Sequence, residues 1–203
     1  MKVFKILLPR SLRSFLLGIN NGFNRYFIRS SKWGYLDQSA KLDMPIQVSG
    51  YKNVFIYKNS HIGPHSIILA TNARFILKDF SGSAGHLCVI TGNHARITGR
   101  FYRTIKNEEK SKDLDKDVIV NEDVWMGMNV TLLSGVEIGR GATVAAGTIV
   151  TKSMPPYSII AGVPAKVLKF YWTVDEIIEH EKLLYKEEER YTRAQLEEIM
   201  NKY

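Results

Sequence analysis

The sequence predicts a mainly β fold: a coil of short parallel strands, one face per six residues, flanked by a basic arm and a helical tail. Three observations predict it. An aliphatic residue or Met returns at every sixth position through Val120, Met126, Leu132, Ile138, Val144 and Val150. Small or β-branched residues keep the same period at Val124, Val130, Val136, Ala142 and Thr148. Residues that tolerate turn conformations precede each of them, at Asp123, Asn129, Gly135, Gly141 and Gly147, and Ser153 follows in the same frame. A helix repeats at about 3.6 residues and a strand at about 2, so neither gives a period of six. A polygonal coil does. Its first-position side chain points inward, its small fifth position lets the chain turn, and stacked coils share one apolar interior whose ends need caps.

Upstream the rule returns in fragments. Leu36, Leu42 and Val48 keep the spacing, and Ile56, Ile62 and Ile68 repeat it with Val54, Ser60 and Ser66 as small partners. Between Ala73 and Thr98 the register is expected to slip, although the stretch still reads as strands and turns. The repeat domain is placed at residues 35–170. Residues 100–117, dense in both charge signs and free of the repeat, read as a loop thrown out of one coil. Residues 171–203 read as helical, with Thr173 opening a capping box and Ile177, Ile178, Leu184, Leu196, Ile199 and Met200 on the apolar side. This tail either caps the open end of the coil or packs across a neighbouring subunit, and its acidic run is expected to be a solvated face.

Hydrophobic residues make up 45% of the 203 and charged residues 24%, a globular composition. The one cysteine, Cys88, forms no intrachain disulfide, fits a reducing compartment and is expected to be a small buried apolar residue. The formal charge of +8 is uneven. Residues 1–34 hold seven Lys or Arg and no acid, whereas residues 173–203 hold nine acids against five bases. No nucleic-acid reader motif accompanies the basic arm, so nucleic acid is not expected as a partner. The arm falls short of the ~18 apolar residues of a membrane span. Phe4, Leu7, Leu8, Leu12, Phe15 and Leu16 can line one face of a broken amphipathic helix, which either lies on an anionic membrane surface or packs on the body. A cytoplasmic location follows as the expectation, peripheral on the inner membrane face under the first of those readings.

The stretches "VWMGMNVTLLSGVEIGRGATVAAGTIVTK" and "PPYSIIAGVPAKVLK" resemble the hexapeptide-repeat acyltransferases, in particular the maltose, galactoside and capsular-polysaccharide O-acetyltransferases. The resemblance runs over about residues 35–170 and is most specific from Trp125 to Lys169. It implies a left-handed parallel β-helix and a homotrimer with acetyl-CoA bound between subunits. The implied reaction is acetyl transfer to a saccharide hydroxyl in surface or capsular polysaccharide assembly. Transfer to an amine on an amino sugar, nucleotide sugar or antibiotic, and a non-catalytic trimeric scaffold, stay open as alternatives.

By position in the motif, the resemblance implies that His94 is the general base. A sugar hydroxyl is a poor nucleophile at neutral pH, and imidazole, with an ordinary pKa of ~6.5, is suited to take its proton. No Ser or Cys nucleophile motif is present, which is compatible with direct transfer. His86 is the reserve candidate. His61 and His65 read as turn or surface residues and find no third ligand, so no metal is expected. For acetyl-CoA the resemblance points to Trp125, Gly127, Ala146, Thr151, Lys152, Lys166 and Lys169, the lysines facing the nucleotide phosphates. Asn93 and Arg96 are the acceptor-binding candidates. Met128 stands where relatives often carry a small polar residue, and Lys166 and Lys169 stand where some carry arginine.

Overall fold

The computed structural model describes residue 12 and residues 32–203, so the expectations for the basic arm lie almost wholly outside the described residues. The remainder forms a three-sided parallel β-helix of about six turns, consistent with left-handed winding. The first face stacks β1 (Tyr35–Leu36), β4 (Val54–Ile56), β7 (Phe75–Leu77), β10 (Val118–Val120) and β13 (Glu137–Ile138). The second stacks β2 (Lys41–Leu42), β5 (His61–Ile62), β8 (Gly82–Ser83), β11 (Trp125–Met126), β14 (Thr143–Val144) and β16 (Ser158–Ala161). β17 (Lys166–Phe170) adds to β16 as an antiparallel edge. The third face stacks β3 (Ile46–Ser49), β6 (Ser66–Leu69), β9 (Cys88–Ile90), β12 (Thr131–Leu132) and β15 (Ile149–Val150).

Strand register explains why the period is six. Leu36, Ile56, Leu77, Val120 and Ile138 stand directly over one another on the first face. Val48, Ile68, Val89, Leu132 and Val150 do the same on the third. Most of these side chains are wholly buried. Each contributes about 1.5–3 kcal/mol by leaving water. The corners are equally regular. Asp123, Asn129, Gly135, Gly141 and Gly147 all adopt positive φ, between 57° and 84°, so the chain turns through a left-handed residue before each small fifth position.

The slip expected between Ala73 and Thr98 is confined to the bend after β6, where the inward residues Ile68 and Leu77 stand nine positions apart rather than six. Leu77, Ser83 and Val89 keep the six-residue spacing and stand in register with Val120, Met126 and Leu132. Two substitutions hide the rule in the sequence. Ser83 is a polar residue in an inward position, and Leu87 is bulky where small residues usually stand. Their corners are Phe80 and His86, at φ 60° and 62°, rather than Gly or Asn.

Extra residues enter at one corner, between the third face and the first. A 3-10 turn (Tyr51–Asn53) leaves there after β3, a short bend follows β6, and residues 91–117 leave there after β9. The long excursion is a chain of three 3-10 turns, at Tyr102–Thr104, Asn107–Glu109 and Lys112–Leu114.

The tail forms α1 (Val174–Leu184) and α2 (Arg193–Lys202). The predicted capping box is present: Thr173 Oγ1 accepts from Glu176 N at 3.3 Å, and Glu176 Oε2 accepts from Thr173 N at 2.7 Å. Ile177 and Leu196 bury against Tyr157 of the last coil, so the tail covers its own coil. Leu184, expected on the apolar side, is 61% exposed because α1 ends there and turns away.

The acidic tail is not solvated throughout. Glu187, Glu188 and Glu189 are exposed, but Glu181 is fully buried. Its Oε1 accepts from Tyr157 Oη at 2.7 Å and Arg140 Nη1 at 3.2 Å, and its Oε2 accepts from Tyr191 N at 2.6 Å. Arg140 in turn lies 3.9 Å from the centre of the Tyr185 ring. A buried carboxylate is tolerated because both of its oxygens have donors, and this cluster fixes α1 to the coil.

Two outcomes follow. Ser83 Oγ is buried without a hydrogen-bond partner, so Ser83→Ala is expected to raise stability by about 1 kcal/mol, seen as a higher midpoint in urea unfolding. Burial and the Glu181 contact push the Tyr157 hydroxyl well above its ordinary range, and burial pushes Tyr185 up to about 12. The fold holds both hydroxyls neutral at pH values where the unfolded chain, near 10.0, already loses them. Their contribution is therefore complete below pH 10 and is lost as pH climbs from 10 toward 12 and beyond. Unfolding followed by circular dichroism at pH 8, 10 and 11 should show that decline, with a shallower slope in Tyr157→Phe.

Candidate active site

His94 follows β9, at the corner from which the long excursion leaves. The base of the excursion is tied on both sides. The Arg74 guanidinium grips the Asp117 carboxylate through Nε at 2.8 Å and Nη2 at 2.6 Å. Burial works to raise the Asp117 carboxyl, but these bonds outweigh it and hold the group below the usual carboxylate range. Lys116 N donates to Thr91 O at 3.0 Å, and Asn93 N donates to Leu114 O at 3.1 Å. Thr91 Oγ1 reaches two carbonyls, Leu69 O at 3.2 Å and Ala73 O at 3.1 Å, locking the strand end just before His94.

The excursion is largely exposed on its outer side. It folds back over its corner and walls one side of an open cavity of about 650 Å³. Three layers supply the walls: Leu69, Thr71 and Asn72 from one coil, Ile90 to Ala95 from the next, and Tyr102 to Asp115 from the excursion. His94 and Asn93 both line it. The His94 ring meets the Tyr102 ring edge-on, with centroids 5.3 Å apart, and Arg96 lies 5.0 Å from the same Tyr102 ring. Of the acceptor-side candidates, His94 and Arg96 thus meet at one aromatic residue, and Asn93 lines the same cavity. Among the described residues the His94 imidazole makes no hydrogen bond, which leaves both ring nitrogens available to a ligand.

At the far wall, Lys110 Nζ donates to Asp115 Oδ1 at 2.5 Å, and Asn72 Nδ2 donates to Asp115 Oδ2 at 3.1 Å. Lys110 and Asp115 are only 12% and 14% exposed. The Asp115 carboxylate sits so close to the Gly92 α-carbon that a β-carbon there would overlap it. Glycine is therefore required two residues ahead of His94, for space rather than for backbone conformation.

The positions expected to hold acetyl-CoA lie elsewhere on the prism. Trp125 stands in β11 on the second face, 51% exposed, with its indole leaning over Gly82. Ala146 is exposed at the corner between the second and third faces. Gly127 has a packing reason, since a β-carbon there would approach Ala146 N to 2.6 Å. Lys166 and Lys169 are exposed on β17, and the chain just ahead of them returns to the coil through Ala165 N donating to Ile149 O at 2.9 Å. Thr151 and Lys152 are exposed where the third face ends after β15. None of these seven lines the His94 cavity. The structure separates the two groups within one chain.

The other histidines are explained locally. His65 and His86 are left-handed corner residues whose rings stack at 5.1 Å, which removes His86 from the neighbourhood of the cavity. His61 Nε2 lies 2.9 Å from Asp43 Oδ2 on the second face. Cys88 is half-buried, and burial pushes its thiol up, away from nucleophilic character. Among the described residues no three His, Cys, Asp or Glu side chains are grouped to hold a metal, and no helix is long and apolar enough to cross a membrane.

Sequence reasoning missed Asn72, Tyr102, Lys110 and Asp115. Asn72 had one usable signal. Stacking the hexads by coil places it at the corner one layer before His94, but the slip obscured that stacking. The excursion residues had none, because an irregular loop carries no period.

Comparison with known proteins agrees with this architecture. Residues 117–152 match the family described as bacterial transferase hexapeptide (six repeats). A probable macrolide acetyltransferase of Lysinibacillus sphaericus is 40% identical over 151 residues, covering 66% of this chain and 79% of that protein. Among solved structures, a hexapeptide-repeat acetyltransferase of Vibrio cholerae O1 biovar eltor, complexed with acetyl-coenzyme A, superposes with a TM-score of 0.64 at 23% identity. That match covers 75% of this chain and 79% of the other. A maltose O-acetyltransferase of Clostridium difficile 630 gives 0.61 at 20% identity, covering 79% and 87%. With the repeat coil and a relative matched over most of its length in accord, the chain belongs to the hexapeptide-repeat acetyltransferase family.

Proposed function

We propose that the protein transfers an acetyl group from acetyl-CoA to a saccharide hydroxyl, in the assembly of a surface polysaccharide, with His94 as general base. The observation that carries this reading is the cavity of about 650 Å³ with the His94 ring in its wall and both ring nitrogens free. A hydroxyl seated there gives its proton to the imidazole as its oxygen bonds to the thioester carbonyl carbon. The carbon–sulfur bond then breaks, and the imidazolium returns the proton to the departing thiolate, so that ester and free thiol leave a neutral histidine. Tyr102 fixes the ring plane by its edge contact, and Asn93 and Arg96 contact the acceptor.

The separation of the two residue groups supports an oligomeric site. His94 sits at one corner, whereas Trp125 and Ala146 occupy another face and corner. In this reading a homotrimer places the Trp125 face of one subunit against the His94 corner of its neighbour. Lys152, Lys166 and Lys169 then hold the nucleotide phosphates as compact point charges. Ile67 and Leu69, exposed side by side on the outer surface of the third face, supply apolar area for such packing. The chain divides accordingly into residues 1–34 as a basic arm, 35–170 as the catalytic coil and 171–203 as its cap. The arm holds the enzyme against the cytoplasmic face of a membrane, near lipid-linked acceptors.

Release of free CoA from acetyl-CoA, measured across a panel of saccharides, tests the proposal. Acceptor-dependent release that falls at least about 100-fold in His94→Ala supports His94 as the base. Equal release in the variant removes it from that role.

A further inference from the structure

The charge inside the His94 cavity carries a statement about the acceptor. Among the described residues Asp115 is the only acid in its wall. Both of its oxygens are engaged, one by Lys110 and one by Asn72. Lys110 is spent on the same contact, so the pair contributes no free charge. Glu109, on the same excursion but outside the wall, is bound by Arg100 at 2.5 Å. One charged side chain in the wall remains without a partner. Lys106 is exposed, lines the cavity, and its ammonium enters no ion pair or hydrogen bond among the described residues. Arg96 lies over the Tyr102 ring and makes no ion pair or side-chain hydrogen bond among the described residues.

A cationic acceptor fits these walls badly. An ammonium group brought in beside Lys106 meets like charge and has no free carboxylate to replace its water. An anionic group meets an available partner. The remaining surface, formed by Leu69, Ile90, Ala95 and Ile105, is apolar and suits the face of a sugar ring or an apolar substituent.

Resting on the transferase reading above, we propose that the acceptor is a hydroxylated glycoside bearing a carboxylate or a phosphate, that Lys106 pairs with this anion, and that the closed Lys110–Asp115 pair leaves no carboxylate for a cationic group. Lys106 determines specificity rather than catalysis.

Four matched probes test this: the 4-nitrophenyl glycosides of glucose, glucuronic acid, glucose 6-phosphate and glucosamine. Each is measured for binding to the full-length protein by saturation-transfer NMR titration, and for acceptor-dependent CoA release. The two anionic probes are expected to bind about five-fold more tightly than the neutral one, a typical margin for a partly exposed charge pair, and the amine more weakly. The difference should lie in KM rather than kcat and shrink with added salt. Lys106→Gln should bring the anionic-to-neutral ratio close to one, whereas Arg103→Gln, on the same excursion but outside the wall, should leave it unchanged. Preference for one anion over the other assigns the substituent as carboxylate or phosphate. Binding of the amine as tight as that of the anions, an anionic preference that survives Lys106→Gln, or binding of none of the four overturns the proposal. If the binding preference holds while no probe releases CoA, the charge selection stands and the transferase reading fails.

Discussion

Everything in this molecule depends on the stacking of one inward side chain per face on its counterpart in the next coil. Most strands in the coil are two or three residues long, far too short to persist alone, so each exists only because a neighbour pairs with it. That dependence fixes the corner geometry. A left-handed residue at Asn129, Gly135, Gly141 or Gly147 turns the chain so that the next aliphatic side chain lands inside. It also explains the tail: an open coil end exposes both apolar side chains and ladder carbonyls, and α1 closes it through Tyr157 and the buried Glu181 cluster.

The same constraint decides where chemistry can be added. A residue inserted inside a face would shift every later side chain out of register, whereas a corner can extrude chain without disturbing the stack. Extra residues enter between the third face and the first, and the longest insertion builds the cavity. His94 stands near the start of the excursion, three residues after Thr91 ties the chain to the coil. A rigid prism therefore supplies the histidine, and a tethered loop supplies the shape and charge of the space in front of it.

The fold was legible from the sequence because its period is written in buried side chains. The repeat from Val120 to Val150 predicts inward positions that are all fully buried. Legibility failed where one side chain broke the chemical pattern without breaking the geometry. Three extra residues between Ile68 and Leu77 shift the frame, and Ser83 in an aliphatic column and Phe80 in a corner hide the regular spacing that resumes beyond it. Glu181 was misread for a related reason: an acid in a charged helix looks solvated unless the Arg140 and Tyr157 partners, distant in sequence, are known. For the site, His94 could be proposed from its motif. Asn72, Lys110 and Asp115 could not, because their meeting depends on a loop folding back across two coils.

The central claim is that catalysis uses the His94 corner of one subunit and the Trp125 face of another. Co-expression of His94→Ala with Ala146→Trp, each inactive when purified alone, tests it most directly. A site shared between copies restores about a quarter of wild-type activity in randomly mixed oligomers, because one interface in four then joins an intact corner to an intact face. A site contained within one chain gives no recovery at any mixing ratio, and that result would contradict the account.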